Sequence, residues 1–458
     1  MMQLSEAAMA THGTVSGQDV PFTGVSTDSR TIVPGQLFVA LRGESFDGHV
    51  YAKQCLEKGA AAVMLDERGT TQGLAPALIV ANTRLSLGEL AAHWRSKFTI
   101  PLTAITGSNG KTTVKEMLAS ILSAAAGGDS VLSTQGNFNN DIGLPLTLFR
   151  LTGQHRYAVI EMGMNHEGEI SYLTRLARPT VALVNNATAA HLGGLGSVEA
   201  VARAKGEIFE GLAEDGIAII NADDAFAAFW HKLAAPRKVL MFGLRNTADV
   251  SADYALAADS STLQLHTPQG EIDCVLPVAG LHNVYNALAA TAAALGMGVG
   301  LAVIAQGLAA FGGVKGRQQR KPGLNGALLI DDTYNANPAS MKAAIDVLAA
   351  RSGRRLLVLG DMGELGEDAA SMHAEIGRYA KQAGINALYT LGELSQGMAA
   401  AFGAESHHYD TPEMLAAELK SEMDKSVTVL VKGSRFMRME RVVNLIGAEQ
   451  KEGDHNAA

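Results

Sequence analysis

The string TGSNGKTT, Thr106 to Thr113, follows the mostly apolar run from Ile100 to Ile105 and opens a helix-like stretch. It reads as strand, phosphate-binding loop and helix. Small residues let backbone N–H groups crowd a phosphate, and a helix N-terminus adds positive dipole. Lys111 supplies a point charge and Thr112 a magnesium ligand. Gly107, Ser108, Asn109, Gly110 and Thr113 complete the expected nucleotide-contacting loop. The full loop pattern asks for glycine where this chain has Ile105, so a coincidental turn is the competing reading and context must decide.

At 458 residues the chain is long enough for roughly three domains, and an apolar fraction of 47% can fill several cores. Lys and Arg number 37 against 46 Asp and Glu, a formal charge of −9 that disfavours a nucleic-acid partner or an anionic membrane surface. Cys55 and Cys274 lie far apart with no CxxC pattern, and the start MMQLSEAAMATHG lacks the basic and apolar character of a signal sequence. No apolar stretch approaches a membrane span. These features predict a reduced, cytoplasmic protein without membrane insertion and with a frayed polar tail, KEGDHNAA. Nothing demands more than a monomer.

Hydrophobic patterning predicts an α/β protein of three domains. Residues 1–82 read as a small α/β domain of short strands and turns, with VPGQLFVALRG as turn then strand and YAKQCLEKGA as an amphipathic helix. Residues 83–313 open on a helical segment, LSLGELAAHWRSKF. Strand-like runs then recur at Tyr157 to Glu161, Val181 to Val184 and Gly216 to Ile220, which predicts a doubly wound, mostly parallel sheet. Glycines in FGGVKG, 311–316, mark a linker. Within residues 314–458 the runs ALLIDD, RRLLVLGDM, NALYTLG and VTVLVKGS alternate with amphipathic helices, a Rossmann-like α/β domain.

Several side chains then carry chemistry. Glu161 ends a predicted buried strand, where open α/β sheets place their ligands, so it either coordinates magnesium or serves as a structural hydrogen-bonding group. His191 follows the strand VALVNN and reads as a ligand or as a satisfied structural histidine. Lys205 in AVARAKGEIFEG lies on a helix, where position alone suggests a solvated face. Asn137, Asn139 and Asn140 in GNFNNDIGLP read equally as an asparagine-rich turn. Asn283 and Asn286 in GLHNVYNALAA lie a helical turn apart, so their amides share a face and could read an adenine edge, while neighbouring His282 could equally be a packing residue.

Taken in order, TGSNGKTT, GNFNNDIGLP, EMG, the HLGGLGS loop, AKGEI, NADD, GLHNVYNALAA, KGRQQ and DDTYNANPASM resemble the Mur ligases, ATP-dependent amide-forming enzymes of peptidoglycan precursor synthesis. The resemblance covers essentially the whole chain. The family's phosphate loop lacks the early glycine, which accounts for Ile105. The resemblance implies that Lys111 and Thr112 hold the β and γ phosphates and one Mg2+, which Glu161 shares. His191 would serve a second Mg2+, and Lys205 matches a lysine carried in the family as a carbamate. The family commonly has an acidic residue where this chain has Gly193. Arg317 in KGRQQ would reach the ATP triphosphate on closure of the third domain. Asp332 would take the ribose hydroxyls with Tyr334, Asn335 and Asn337 beside it, although an ordinary strand-to-helix turn competes.

The ends of the chain bear on substrate. STDSRTIVPGQLFVALRGESFDGHVY resembles the family's uridine-diphosphate-binding domain, in which Ser29, Arg30, Asp47, Gly48 and His49 would surround the uracil and diphosphate; DSR followed by PG is also a plain turn. Asn137, Asn139 and Asn140 would contact the same donor from the central domain. LGDMGELGEDAASMH and VLVKGSRFMRMERVV resemble the members that join D-alanyl-D-alanine to UDP-N-acetylmuramoyl-tripeptide, and the DNPR string of the member adding the third residue is absent. Lys432, Ser434 and Arg435 would meet acceptor or nucleotide, or serve packing and surface roles. A sibling adding a single amino acid, a folylpolyglutamate synthase-like ligase and a non-ligating phosphate-loop protein are the alternatives.

Overall fold

Three large, mainly parallel sheets follow one another along the chain, beside two smaller antiparallel ones, in the computed structural model, which describes residues 1–68, 73–189 and 192–448. The first has five strands in the order Thr14–Ser16, Ala77–Val80, Ala62–Asp66, Gln36–Val39 and Gly24–Ser26; only Thr14–Ser16 runs antiparallel to its neighbour.

The second sheet has six strands, all parallel, in the order Lys238–Phe242, Ile217–Asn221, Val181–Val184, Leu102–Thr106, Tyr157–Glu161 and Val131–Ser133. Its central strands are buried on both faces, which is why they read as continuous apolar runs rather than as alternation. In Leu102–Thr106, Leu102 and Ala104 join one core with Leu87, Leu90 and Leu173, whereas Ile105 joins a second with Val114, Met117 and Val284. The sheet is thus covered by helices on either side, as doubly wound folds require. Ile105 is fully buried beside Leu183 and Glu161. The position that the longer loop pattern reserves for glycine is therefore core strand here, and the loop proper begins at Gly107.

The first core also contains Leu4, Phe22, Leu37 and Met64, so the N-terminal and central units share one continuous apolar interior. Helix Thr83–Ser96 lies in that interior. Asn82 caps it, its side chain accepting from the N–H groups of Arg84 and Leu85.

Three antiparallel strands, Ser251–Leu256, Ser261–Thr267 and Gly270–Leu276, form a separate sheet against helix Leu281–Gly296. Sequence patterning assigned nothing to this stretch. A loop follows helix Leu301–Ala309 and leads, through the FGGVKG glycines, into the third sheet. Its order is Gln319–Pro322, Leu328–Asp332, Val427–Lys432, Arg354–Gly360, Ala387–Leu391 and Ser406–Tyr409, with only the first strand antiparallel. The carboxyl ends of Leu328–Asp332 and Val427–Lys432 face the carboxyl ends of the central sheet across one cleft.

Candidate nucleotide and ligation site

That cleft has a volume of about 1340 Å³ and is lined by both the central and the C-terminal unit. The phosphate loop sits at its base. Gly110 adopts φ 80°, and a Cβ there would fall 2.3 Å from Asn286 Oδ1 and 2.5 Å from Asn185 Nδ2, so both backbone and space demand glycine. Helix Lys111–Ala126 begins immediately afterwards, aiming its first N–H groups into the cleft. Lys111 Nζ donates to Gly107 O at 2.6 Å, folding the cation over the loop. Burial lowers its pKa, opposed by the Glu161 carboxylate and helped by the Arg317 charge.

Thr112 Oγ1 donates to Glu161 Oε2 at 2.8 Å, and Asn139 Nδ2 donates to Glu161 Oε1 at 2.9 Å. Glu161 is 2% exposed. A hydroxyl and a buried carboxylate at this spacing are hard oxygen donors of the kind magnesium takes, so these residues fit that ion. Asn140 does different work: its Oδ1 accepts from Gly143 N at 2.8 Å and ties down the turn before helix Gly143–Leu148. Asn137 lines the cleft.

Lys205 corrects the solvated-face reading that its helical position suggests. It is 2% exposed on helix Val198–Gly206, without a hydrogen bond or ion pair among the described residues. Burial, with the nearby Lys111 charge, holds its pKa well below the ordinary lysine value. His191 lies outside the described residues.

Asn283 and Asn286 both lie on the buried face of helix Leu281–Gly296, and Asn286 Nδ2 donates to Asn283 Oδ1 at 3.2 Å. Asn185 Nδ2 donates to Asn286 Oδ1 at 3.2 Å and to Asn109 O at 2.9 Å, while Asn185 Oδ1 is buried without a hydrogen-bond partner among the described residues. Asn186 Oδ1 accepts from Asn109 N at 2.8 Å. Sequence reasoning quoted VALVNN but missed these two asparagines. Their signal was position, since they follow a central strand at its carboxyl end.

The C-terminal unit reaches the loop directly. Arg317 Nη2 donates to Thr112 Oγ1 at 3.0 Å, and its guanidinium lies 4.2 Å from the Tyr334 ring centroid. Asn337 Nδ2 donates to Asn109 Oδ1 at 2.8 Å. Asp332 is ion-paired with buried Lys432 at 2.8 Å and accepts from Gln318 N. Ser434 Oγ accepts from Gly363 N at 2.8 Å, and Arg435 pairs with Glu440 at 2.8 Å; both line the cleft. Burial lowers the pKa of cleft-lining His282, against the pull of Asp332.

Ser29, Arg30, Asp47, Gly48 and His49 do not line this cleft; they belong to the N-terminal unit. Arg30 is 86% exposed in its side chain and pairs with Asp28 at 2.7 Å, while Lys58 Nζ donates to Ser29 O. Asp47 accepts from Arg42 and from the His49 ring, and His49 Nε2 accepts from Asp66 N. A Cβ on Gly48 would fall 2.8 Å from Leu41 O.

Comparison with known proteins extends these observations. Three family models match: "Mur ligase family, catalytic domain" over residues 21–95, "Mur ligase middle domain" over 105–294 and "Mur ligase, glutamate ligase domain" over 316–435. The UDP-N-acetylmuramoyl-tripeptide–D-alanyl-D-alanine ligase of Escherichia coli K12 is 44% identical over 446 residues, 97% of this chain and 98% of that protein. A crystal structure of MurF from Acinetobacter baumannii superposes with a TM-score of 0.90 at 37% identity, covering 97% of this chain and 98% of the other. MurF ligase from Thermotoga maritima in complex with ADP superposes with a TM-score of 0.81 at 27% identity, covering 92% and 96%.

Proposed function

The chain belongs to the Mur ligase family, and on that premise we propose that it joins the terminal carboxylate of UDP-N-acetylmuramoyl-tripeptide to the amine of D-alanyl-D-alanine, converting ATP to ADP and phosphate. The product would be the pentapeptide precursor of peptidoglycan. The observation that carries this reading is the 44% identity, over nearly the full length, to ligases of that name, on a chain in which Arg317 of the C-terminal unit reaches Thr112 of the phosphate loop.

A free carboxylate is a poor acyl donor. Its oxygen attacks the γ-phosphorus in line, ADP leaves, and an acyl phosphate forms; the amine then attacks the acyl carbon, and phosphate departs with loss of a proton from nitrogen. Lys111 and Arg317 neutralise charge on the transferring group, and their convergence on one loop supports that role. Helix Lys111–Ala126 presents its N–H groups to the phosphates. Thr112 and Glu161 would hold one magnesium ion, and His191 with carbamylated Lys205 a second. When bound, magnesium supplies charge neutralisation at the phosphoryl oxygens.

A lysine whose amine is neutral can attack the carbon of CO2, forming an N–C bond and releasing a proton to give a carbamate. The lowered pKa of Lys205 favours that reaction, because it raises the neutral fraction of the amine. Asn283 and Asn286 would hold the adenine, and Asp332, with Tyr334 beside it, the ribose. Asn137 and Asn139 would meet the donor peptide, with Asn140 fixing their turn. Ser29, Arg30, Asp47, Gly48 and His49 would hold the uridine diphosphate, with Asp47 and His49 ordering one another. A monomer is the expected state, and two free cysteines suit the cytoplasm.

Phosphate release from ATP tests the proposal. Release that depends on both the tripeptide nucleotide and D-alanyl-D-alanine is expected. Release with a single amino acid in place of the dipeptide would move the chain to a sibling activity, and release needing neither substrate would overturn the ligase reading.

A further inference from the structure

Beyond the phosphate loop, the central and C-terminal units meet at a second charged contact. The hairpin loop 257–260 joins strands Ser251–Leu256 and Ser261–Thr267 and carries Asp259 to the C-terminal unit. There Asp259 Oδ1 accepts from Arg351 Nη2 at 2.5 Å and pairs with Arg320 Nη1 at 2.8 Å. Arg351 follows helix Pro338–Ala349, and Arg320 lies on strand Gln319–Pro322, three residues beyond Arg317. All three groups border the cleft, and none of them bonds to the phosphate loop.

The environments of the partners differ. Asp259 and Arg320 are about half exposed, at 51% and 47% of their side chains, whereas the Arg351 side chain is 9% exposed. Among the described residues Asp259 is the only acidic partner of Arg351, and Arg351 Nε is buried without a hydrogen-bond partner. Losing the carboxylate would strand a largely buried guanidinium, which costs far more than losing an exposed pair. Separation of the two units would take Asp259 away from both Arg351 and Arg320.

The contacts at the phosphate loop, Arg317 to Thr112 and Asn337 to Asn109, use groups that a triphosphate would compete for. The Asp259 contact uses none of them. We propose that Asp259, Arg320 and Arg351 form a latch that holds the central and C-terminal units together before nucleotide binds, so that Asp259 acts as a positioning residue for Arg317. Its consequence for turnover rests on the ligase reading; its consequence for shape does not. An enzyme already biased toward the closed form would bind ATP without first spending binding energy on closure.

The test uses the full chain without ligand. Small-angle scattering should show a larger radius of gyration for Asp259→Asn than for the native chain. Salt at about 0.5 M should expand the native chain in the same way, because an exposed carboxylate is screened. In turnover assays, Asp259→Asn should raise KM for ATP by about fivefold or more while kcat at saturating ATP stays within about twofold. Arg320→Gln should shift KM in the same direction by less, and Asp259→Glu should restore most of the native value. Unchanged scattering together with unchanged KM for ATP in Asp259→Asn would overturn the latch. A native chain with no turnover on the peptide substrates would overturn the ligase reading, and scattering alone would then decide the latch.

Discussion

Lys205 is a cation by composition and a buried amine by placement. On a helix with Ala200, Val201, Ala202 and Ala204 it packs inward, and neither charge nor spacing in AVARAKGEIFEG announces that. What faces a helix is a tertiary fact, so position alone suggested solvent. Burial lowers its pKa, so the folded chain binds fewer protons here than the unfolded chain between that lowered value and the ordinary lysine value. Stability therefore rises with pH across that window, and below it the full cost of a buried ammonium is felt. Lys205→Met should raise the melting temperature by a few degrees, most strongly at low pH, while turnover falls by on the order of 10². Melting curves across pH and phosphate release check the two halves; a destabilised Lys205→Met would contradict the burial argument. Lys111, by contrast, was legible from its string, because its loop geometry is local. Lys111→Ala should slow turnover by on the order of 10² or more, the scale of a lost electrostatic group. Near-normal turnover would refute its role.

At the scale of elements, the strand, loop and helix around Gly110 were readable because each is specified by neighbouring residues. The register that brings Val181–Val184 beside Leu102–Thr106 is not local, and it delivers Asn185 and Asn186 to the loop. That is why those side chains escaped a reading of motifs. Gly110→Ala would combine a left-handed backbone with a Cβ inside contact distance of two amides. The expected cost is about 1–3 kcal/mol of stability, with loss of nucleotide affinity as Asn185 and Asn286 are displaced. Denaturant melts and calorimetric titration with ADP measure both. The antiparallel strands between Ser251 and Leu276 were invisible because they carry exposed as well as buried residues, including Tyr254, Leu256 and Val275, and so lack a dominant apolar run.

For the whole molecule, the succession of three α/β units was legible from alternating strand and helix patterns, but their relation in space was not. The N-terminal and central units share one apolar core, while the central and C-terminal units meet through polar contacts around a cleft. Movement belongs at the second boundary, because polar contacts exchange with water more readily than a continuous core separates. Arg317 crosses that boundary to Thr112, so Arg317→Ala should lower kcat while leaving affinity for the tripeptide nucleotide intact. Equal loss of donor affinity in a binding titration would contradict a role confined to closure. The most direct test of the proposed reaction is the mass of the nucleotide peptide after incubation with ATP, magnesium and D-alanyl-D-alanine. Ligation predicts a gain equal to the dipeptide less one water, absent without ATP; an unchanged mass while ATP is consumed would contradict it.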